Sequence, residues 1–226
     1  VAELEHLSYS ITHDMRAPLR AIQSFGGILQ EEAGHCLNEE TQGYLTRMRT
    51  AANRMDALIR DVFNYSKLVR EELALQPTDV SQLVRGIVET YPMFHPPKAQ
   101  VEVDPNLPLV LGNEAALTQC FSNLIDNAVK FVKPGQTPKV RVSGELKDGF
   151  VRIYVTDNGI GIPKDLQSKI FGMFQRLSSS TEGTGVGLAI VRKATERMGG
   201  RVGLESESGQ GSRFWIDLKP APPPAS

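Results

Sequence analysis

The sequence predicts a helical hairpin that completes a four-helix bundle with a second copy of itself, followed by an α/β two-layer sandwich. Two observations predict the hairpin. Leu4, Leu7, Ile11, Pro18, Ile22, Phe25 and Leu29 form one drifting apolar stripe at helical spacing. Further on, Met48, Met55, Val62 and Val69 recur every seven residues, with Leu45, Ala52 and Ile59 as a second row between them. That is a heptad seam, which requires a partner helix. A third observation predicts the sandwich: beyond Pro77, helical runs alternate with strand-like runs.

Gly34 and the polar stretch after it mark the turn between the first two helices. A single hairpin buries one side of each stripe, so a homodimer closes the core. Pro77 ends the pattern, and Thr78-Asp79 caps a new helix carrying Val80, Leu83, Val84, Ile87 and Val88. Strands are expected at Gln100–Val103, Lys139–Glu145, Phe150–Thr156 and Arg213–Leu218. Lys147-Asp148-Gly149 turns a hairpin between the second and third. The expected division is 1–76 for the hairpin, 77–219 for the sandwich and 220–226 for a Pro-rich extended tail.

The chain has 226 residues, 40% of them hydrophobic, and a formal net charge of -1. That balance gives no nucleic-acid footprint and no polybasic membrane surface. No apolar run reaches membrane-spanning length, so the segment is expected to make no membrane contact. Cys36 and Cys120 form no metal-type spacing, and Cys120 sits in an apolar helical stretch as a buried thiol. This is a cytoplasmic cysteine pattern. Val1–Leu7 already reads as helix, which suggests a piece of a longer protein that could be membrane-anchored.

Four strings carry chemistry. The first is Leu7-Ser-Tyr-Ser-Ile-Thr-His13-Asp14-Met-Arg-Ala-Pro18-Leu19. At about 100° per residue, His13 lies about 200° from Ile11 and about 180° from Ile22, away from the apolar stripe. Asp14 can fix its tautomer and raise the nucleophilicity of the other ring nitrogen. Pro18 removes one backbone bond and should bend the helix. A lone His-Asp pair is more simply a solvated surface pair; His6 and His35 read that way in full. The other strings lift His13 above that reading.

In the second string, Asn123, Asn127 and Lys130 share one helix face by i, i+4, i+7 spacing. Two amides and an ammonium suit a magnesium–phosphate cluster, although an amphipathic helix alone explains the spacing equally well. The third string is Asp157-Asn-Gly159-Ile-Gly161-Ile-Pro163. Asp157 is in phase with Val151, Ile153 and Val155, so its carboxylate points inward and needs a partner. A purine amine is a suitable donor, and glycines let backbone pass close to a flat base. The fourth string, Gly183-Thr184-Gly185-Val186-Gly187-Leu188, opens a helix whose free N–H groups and dipole attract anions. Before it, Phe171-Gly-Met-Phe174-Gln-Arg176-Leu and Ser178–Thr181 read as a polar, mobile lid.

These four strings, in this order, resemble the H, N, G1/F and G2 boxes of two-component sensor histidine kinases, closest to the phytochrome-like and hybrid-kinase branch. The resemblance implies a dimerisation and phosphotransfer domain followed by a Bergerat-type ATP-binding domain. It implies autophosphorylation of His13 from ATP with Mg²⁺, then transfer to an aspartate of a response-regulator receiver domain, separate or fused. By the same resemblance, Asp14 is the orienting base, Asn127 holds Mg²⁺ with Asn123 beside it, and Lys130 and Phe131 line the nucleotide. Asp157 accepts from the adenine amine, with Gly159, Gly161 and Ile162 against the base. Arg176, Gly183, Thr184, Gly185, Val186, Gly187 and Leu188 complete the nucleotide site.

Two positions depart from the family. Ala17 stands four residues after His13, where many relatives carry Thr or Asn linked to receiver dephosphorylation. Glu182 stands where many relatives carry another glycine, with the three spaced glycines intact. A Bergerat ATPase of another function would not need the His-Asp-x-x-x-Pro helix. A catalytically dead dimeric scaffold would break at least one box, and none is broken.

Overall fold

The computed structural model describes the backbone of residues 2–175 and 183–222, with side chains from Met15 onward. Helix α1 (Ala2–Ala33) runs through Pro18 unbroken. A short 3₁₀ turn at Gly34–Cys36 leads to α2 (Glu39–Arg70). The Asn38 side chain caps α2 by accepting from the Thr41 N–H at 2.8 Å, worth about 1 kcal/mol. Gln42 closes the turn, donating to the Gly34 and Leu37 carbonyls.

The two heptad rows take different roles. Leu45 and Ala52 are buried and Ile59 is half-buried, whereas Met48, Met55, Val62 and Val69 remain exposed. On α1, Leu19 is buried, but Ile22 and Leu29 are exposed and Phe25 is 66% exposed.

Strand β1 (Gln76–Thr78) holds Pro77 and pairs antiparallel with β3 (Val110–Gly112). Proline is tolerated there because the pair has only two strands. Helix α3 (Val80–Thr90) is capped by Asp79, which accepts from the Gln82 N–H at 3.0 Å. The main sheet is built from β2 (Gln100–Val103), β4 (Lys139–Lys147), β5 (Phe150–Asp157), β7 (Gly211–Leu218) and β6 (Arg201–Glu207), in that spatial order. Among the described residues only β2 with β4 is parallel. The β4–β5 hairpin turns on Asp148 and Gly149, at φ 51° and 79°, the two positive values that a tight two-residue turn demands.

Helices α3, α4 (Glu114–Lys130) and α6 (Gly187–Arg197) contribute to one core with the sheet, around Val84, Phe121, Leu124, Ile153, Ile190 and Ile216. The opposite sheet face carries arginines laid over rings. Arg152 lies 3.9 Å from the Trp215 ring centroid, Arg201 4.8 Å from Phe150 and Arg213 3.6 Å from Tyr154. Arg152 also forks onto Asp217 at 2.6 and 2.8 Å, which satisfies a carboxylate only 1% exposed.

Strand β6 was not expected from sequence. Gly203 faces Trp215 across the ladder, and a Cβ there would stand 2.1 Å from the indole. The strand therefore carries glycine where pattern reading seeks a β-branched residue. A one-turn helix α5 (Lys164–Gln167) was also not foreseen. Pro220 bridges to Val110, and the Ala221 N–H donates to the Leu109 carbonyl at 3.0 Å. The chain thus stays paired past the position where the extended tail was expected to begin.

Candidate functional site

The site grows from α4. Asn113 caps that helix by accepting from the Ala116 N–H at 3.0 Å. Leu117, Cys120, Phe121, Leu124 and Ala128 sink into the core, and burial pushes the Cys120 thiol up to about 12. That placement turns Asn123, Asp126, Asn127 and Lys130 towards a cavity of about 690 Å³, within the range of a cofactor-sized pocket.

Asp157, at the end of β5, lines the same cavity. Its Oδ1 accepts from the Gly159 N–H at 2.8 Å and the Ser212 N–H at 3.0 Å. Among the described residues Oδ2 has no partner. Burial raises the Asp157 pKa, opposed by those two backbone bonds. The site therefore holds a desolvated acceptor whose second oxygen is available to a donor ligand.

The turn after Asp157 is forced by close backbone. Gly161 sits at φ 70°, and a Cβ there would lie 2.0 Å from the Glu207 carbonyl oxygen. Gly161→Ala should cost about 1–3 kcal/mol. Calorimetry of the variant should show a lower Tm, and the displaced loop should weaken ligand binding.

The far wall is the glycine turn before α6. Gly183, Thr184, Gly185, Gly187 and Leu188 line the cavity. A Cβ on Gly187 would stand 2.9 Å from Asn123 Oδ1, so glycine lets the turn close on α4. The Thr184 hydroxyl donates to Asp61 and accepts from the Val186 N–H. The first N–H groups of α6 have no carbonyl one turn back to bond.

Of the residues expected at the site, Asn123, Asn127, Lys130, Phe131, Asp157, Gly161, Ile162, Gly183, Thr184, Gly185, Gly187 and Leu188 are brought together here. Gly159 and Val186 do not line the cavity. Gly159 packs on the Phe131 carbonyl, and Val186 is fully buried in the core. Arg176, Glu182, the Ser178–Thr181 part of the lid, and the His13 and Asp14 side chains lie outside the described residues. The start of the lid is anchored, with Phe171 edge-on to Phe214 at 6.3 Å between centroids.

Sequence reasoning missed the second wall. Thr50, Asn53, Arg54, Ala57 and Asp61 of α2 line the same cavity. Burial raises the Asp61 pKa, against the lowering effect of the Thr184 hydrogen bond. Their spacing of three and four residues was visible as a polar face of α2, but nothing in it indicated what the face meets. Ser212 and Phe214 on β7 were also missed.

Comparison with known proteins agrees with this geometry. Residues 3–71 match the His Kinase A (phospho-acceptor) domain, and residues 112–222 the histidine kinase-, DNA gyrase B- and HSP90-like ATPase family. The chain is 32% identical over 220 residues to the phytochrome-like protein Cph1 of Synechocystis, covering 96% of this chain and 29% of that protein. It is likewise 32% identical to the aerobic respiration control sensor protein ArcB of Escherichia coli, covering 92% of this chain and 28% of the relative. It thus spans less than a third of the length of either. Among solved structures, full-length ShkA in complex with AMPPNP superposes with a TM-score of 0.72 at 31% identity, covering 97% of this chain and 47% of that one. With a phosphoacceptor helical hairpin and an ATPase-type sandwich in one chain, this protein belongs to the sensor histidine kinases of two-component signalling.

Proposed function

We propose that this chain is a catalytic core that phosphorylates His13 from ATP and passes the phosphoryl group to an aspartate of a response-regulator receiver domain. The observation that carries the reading is Asp157. It is a buried carboxylate with one oxygen committed to backbone and the other available, at the wall of a cavity that also contains a glycine turn opening a helix. An adenine amine is the donor that carboxylate would take, and the triphosphate would lie on the turn.

In this reading residues 1–76 form the dimerisation and phosphotransfer unit, 77–219 the ATP-binding unit and 220–226 the tail. The exposed apolar rows on α1 and α2, Phe25 among them, support a homodimer through a four-helix bundle. No helix among the described residues is long and apolar enough to cross a membrane. We place this core in the cytoplasm, with a fused or separate receiver as its partner.

The cavity's own charges suit Mg²⁺. Arg54, Lys130 and Lys169 are balanced by Asp61, Asp126 and Asp157, so the walls alone do not neutralise a triphosphate. Asn127 supplies a hard oxygen, with Asn123 beside it. Among the described residues no group of three acidic, histidine or cysteine side chains forms a closed cage. That fits an ion held jointly by the protein and phosphates. When bound, the ion would neutralise charge on the transferring phosphate. Lys130 binds phosphate, Asp157 orients the base, and the glycine turn donates N–H groups.

The test is incubation with γ-labelled ATP and Mg²⁺, which should give acid-labile, base-stable label on the chain. Absence of such label would overturn the reading. Ala17 adds a second expectation. It has no side-chain donor or acceptor to position a water, so a labelled receiver should keep its phosphoryl group in the presence of this chain. Rapid release of phosphate from the receiver would overturn that.

A further inference from the structure

Helix α6 is tied to α2 at both ends. At its C-terminal end, Arg197 Nη1 donates to the Leu68 carbonyl at 2.8 Å and the Val69 carbonyl at 2.6 Å, and Nη2 donates to the Glu71 carbonyl at 2.7 Å. The Leu68 and Val69 carbonyls belong to the last turn of a helix, which lacks intrahelical donors and carries the negative end of the helix dipole. Just before its N-terminal end, Thr184 donates to Asp61. The tie points on α2 follow the order of those on α6, so the two helices run side by side in the same direction. Along the same stretch of α2, Leu58, Tyr65 and Leu68 pack into the core of the sandwich.

The height of this tie along the hairpin is defined by contacts between α1 and α2. Arg49 with Gln30, Asn53 with Gln23 and Asp56 with Arg16 step along the two antiparallel helices. Continuing from the last pair to His13 sets its backbone level with about residue 59 of α2. Asp61, which holds the glycine turn, stands within one helical turn of that level.

We infer that Arg197 and Asp61 are positioning residues forming a two-point clamp, which holds the nucleotide turn at the height of His13 along the bundle. The inference rests on the proposed kinase reading. Arg197 lies outside the nucleotide cavity and acts through the seat of α6 on α2. A misplaced turn would still bind ATP but would present the γ-phosphate at the wrong height, and displacements of about 1 Å can cost on the order of 100-fold in rate.

The test uses the full chain with Arg197→Met, Arg197→Lys and Asp61→Asn. For Arg197→Met we expect ATP affinity within about twofold of wild type and single-turnover label at saturating ATP slowed about tenfold or more. Arg197→Lys, which keeps the charge but not the fork, should recover part of the rate. Asp61→Asn should also slow the saturated rate. Small-angle scattering gives a readout free of chemistry, because Arg197→Met should be more extended than wild type. Wild-type or faster label in Arg197→Met at saturating ATP would overturn the clamp. So would loss of ATP binding in step with rate, or an unchanged scattering profile. If wild type takes no label, the kinase reading fails, and scattering alone then decides whether the tie exists.

Discussion

His13→Gln should abolish acid-labile, base-stable label from γ-labelled ATP while leaving nucleotide binding intact. Glutamine keeps a polar side chain of similar reach but has no nucleophilic ring nitrogen. The cavity is lined by α2, α4, β7, the end of β5 and the turn after it, the segment around α5 and the turn before α6, and by no described residue of α1, so substitution on α1 should not disturb it. The paired measurement separates two failures. Label that survives would mean a different acceptor. Label and ATP binding lost together would mean that the variant is misfolded, and His13→Ala then repeats the test.

Asp157→Asn should weaken ATP binding by about 2–3 kcal/mol, on the order of 100-fold in Kd, without loss of fold. The carbonyl of asparagine can still accept from the Gly159 and Ser212 N–H groups, which holds the loop. Its amide would set a donor against the donor amine of adenine. Stability should move the other way. Burial raises the Asp157 pKa, so the folded chain retains a proton that the unfolded chain has released. This contribution is fully present below the ordinary carboxylate pKa and is lost as pH rises through the raised one. Asp157→Asn lacks that loss, so its stability relative to wild type should rise across that interval. Urea titrations at pH 4 and pH 7 read the difference, and a wild-type slope unchanged by the substitution would show that the carboxylate is not penalised. Such opposed effects are expected where a site stores unfavourable burial for a ligand.

The hairpin was legible because heptad spacing states both the helix and its need for company. The alternation of Val151, Ile153 and Val155 likewise announced β5 and the inward aim of Asp157. Strand β6 was hidden because Gly203 gives its volume to Trp215, and a packing exchange between strands leaves no periodic trace. The α2 wall of the cavity was hidden for a related reason. Thr50, Asn53, Arg54, Ala57 and Asp61 form an ordinary polar face until a turn more than a hundred residues away closes on it. Contacts at that separation leave no local pattern, so only the fold reveals them.

The arginine-covered sheet face has a consequence for motion. In the proposed cycle the ATP-binding unit delivers phosphate to His13 and then clears it for the receiver, so it must leave its seat and return. During that passage every surface it carries meets water and crowded neighbours. A bare aromatic face would stick to them. Guanidinium planes over Trp215, Phe150 and Tyr154 cover the hydrocarbon, and those of Arg201 and Arg213 keep their outer edges in water. The unit can therefore travel with a finished exterior, and its attachment can be confined to contacts that release.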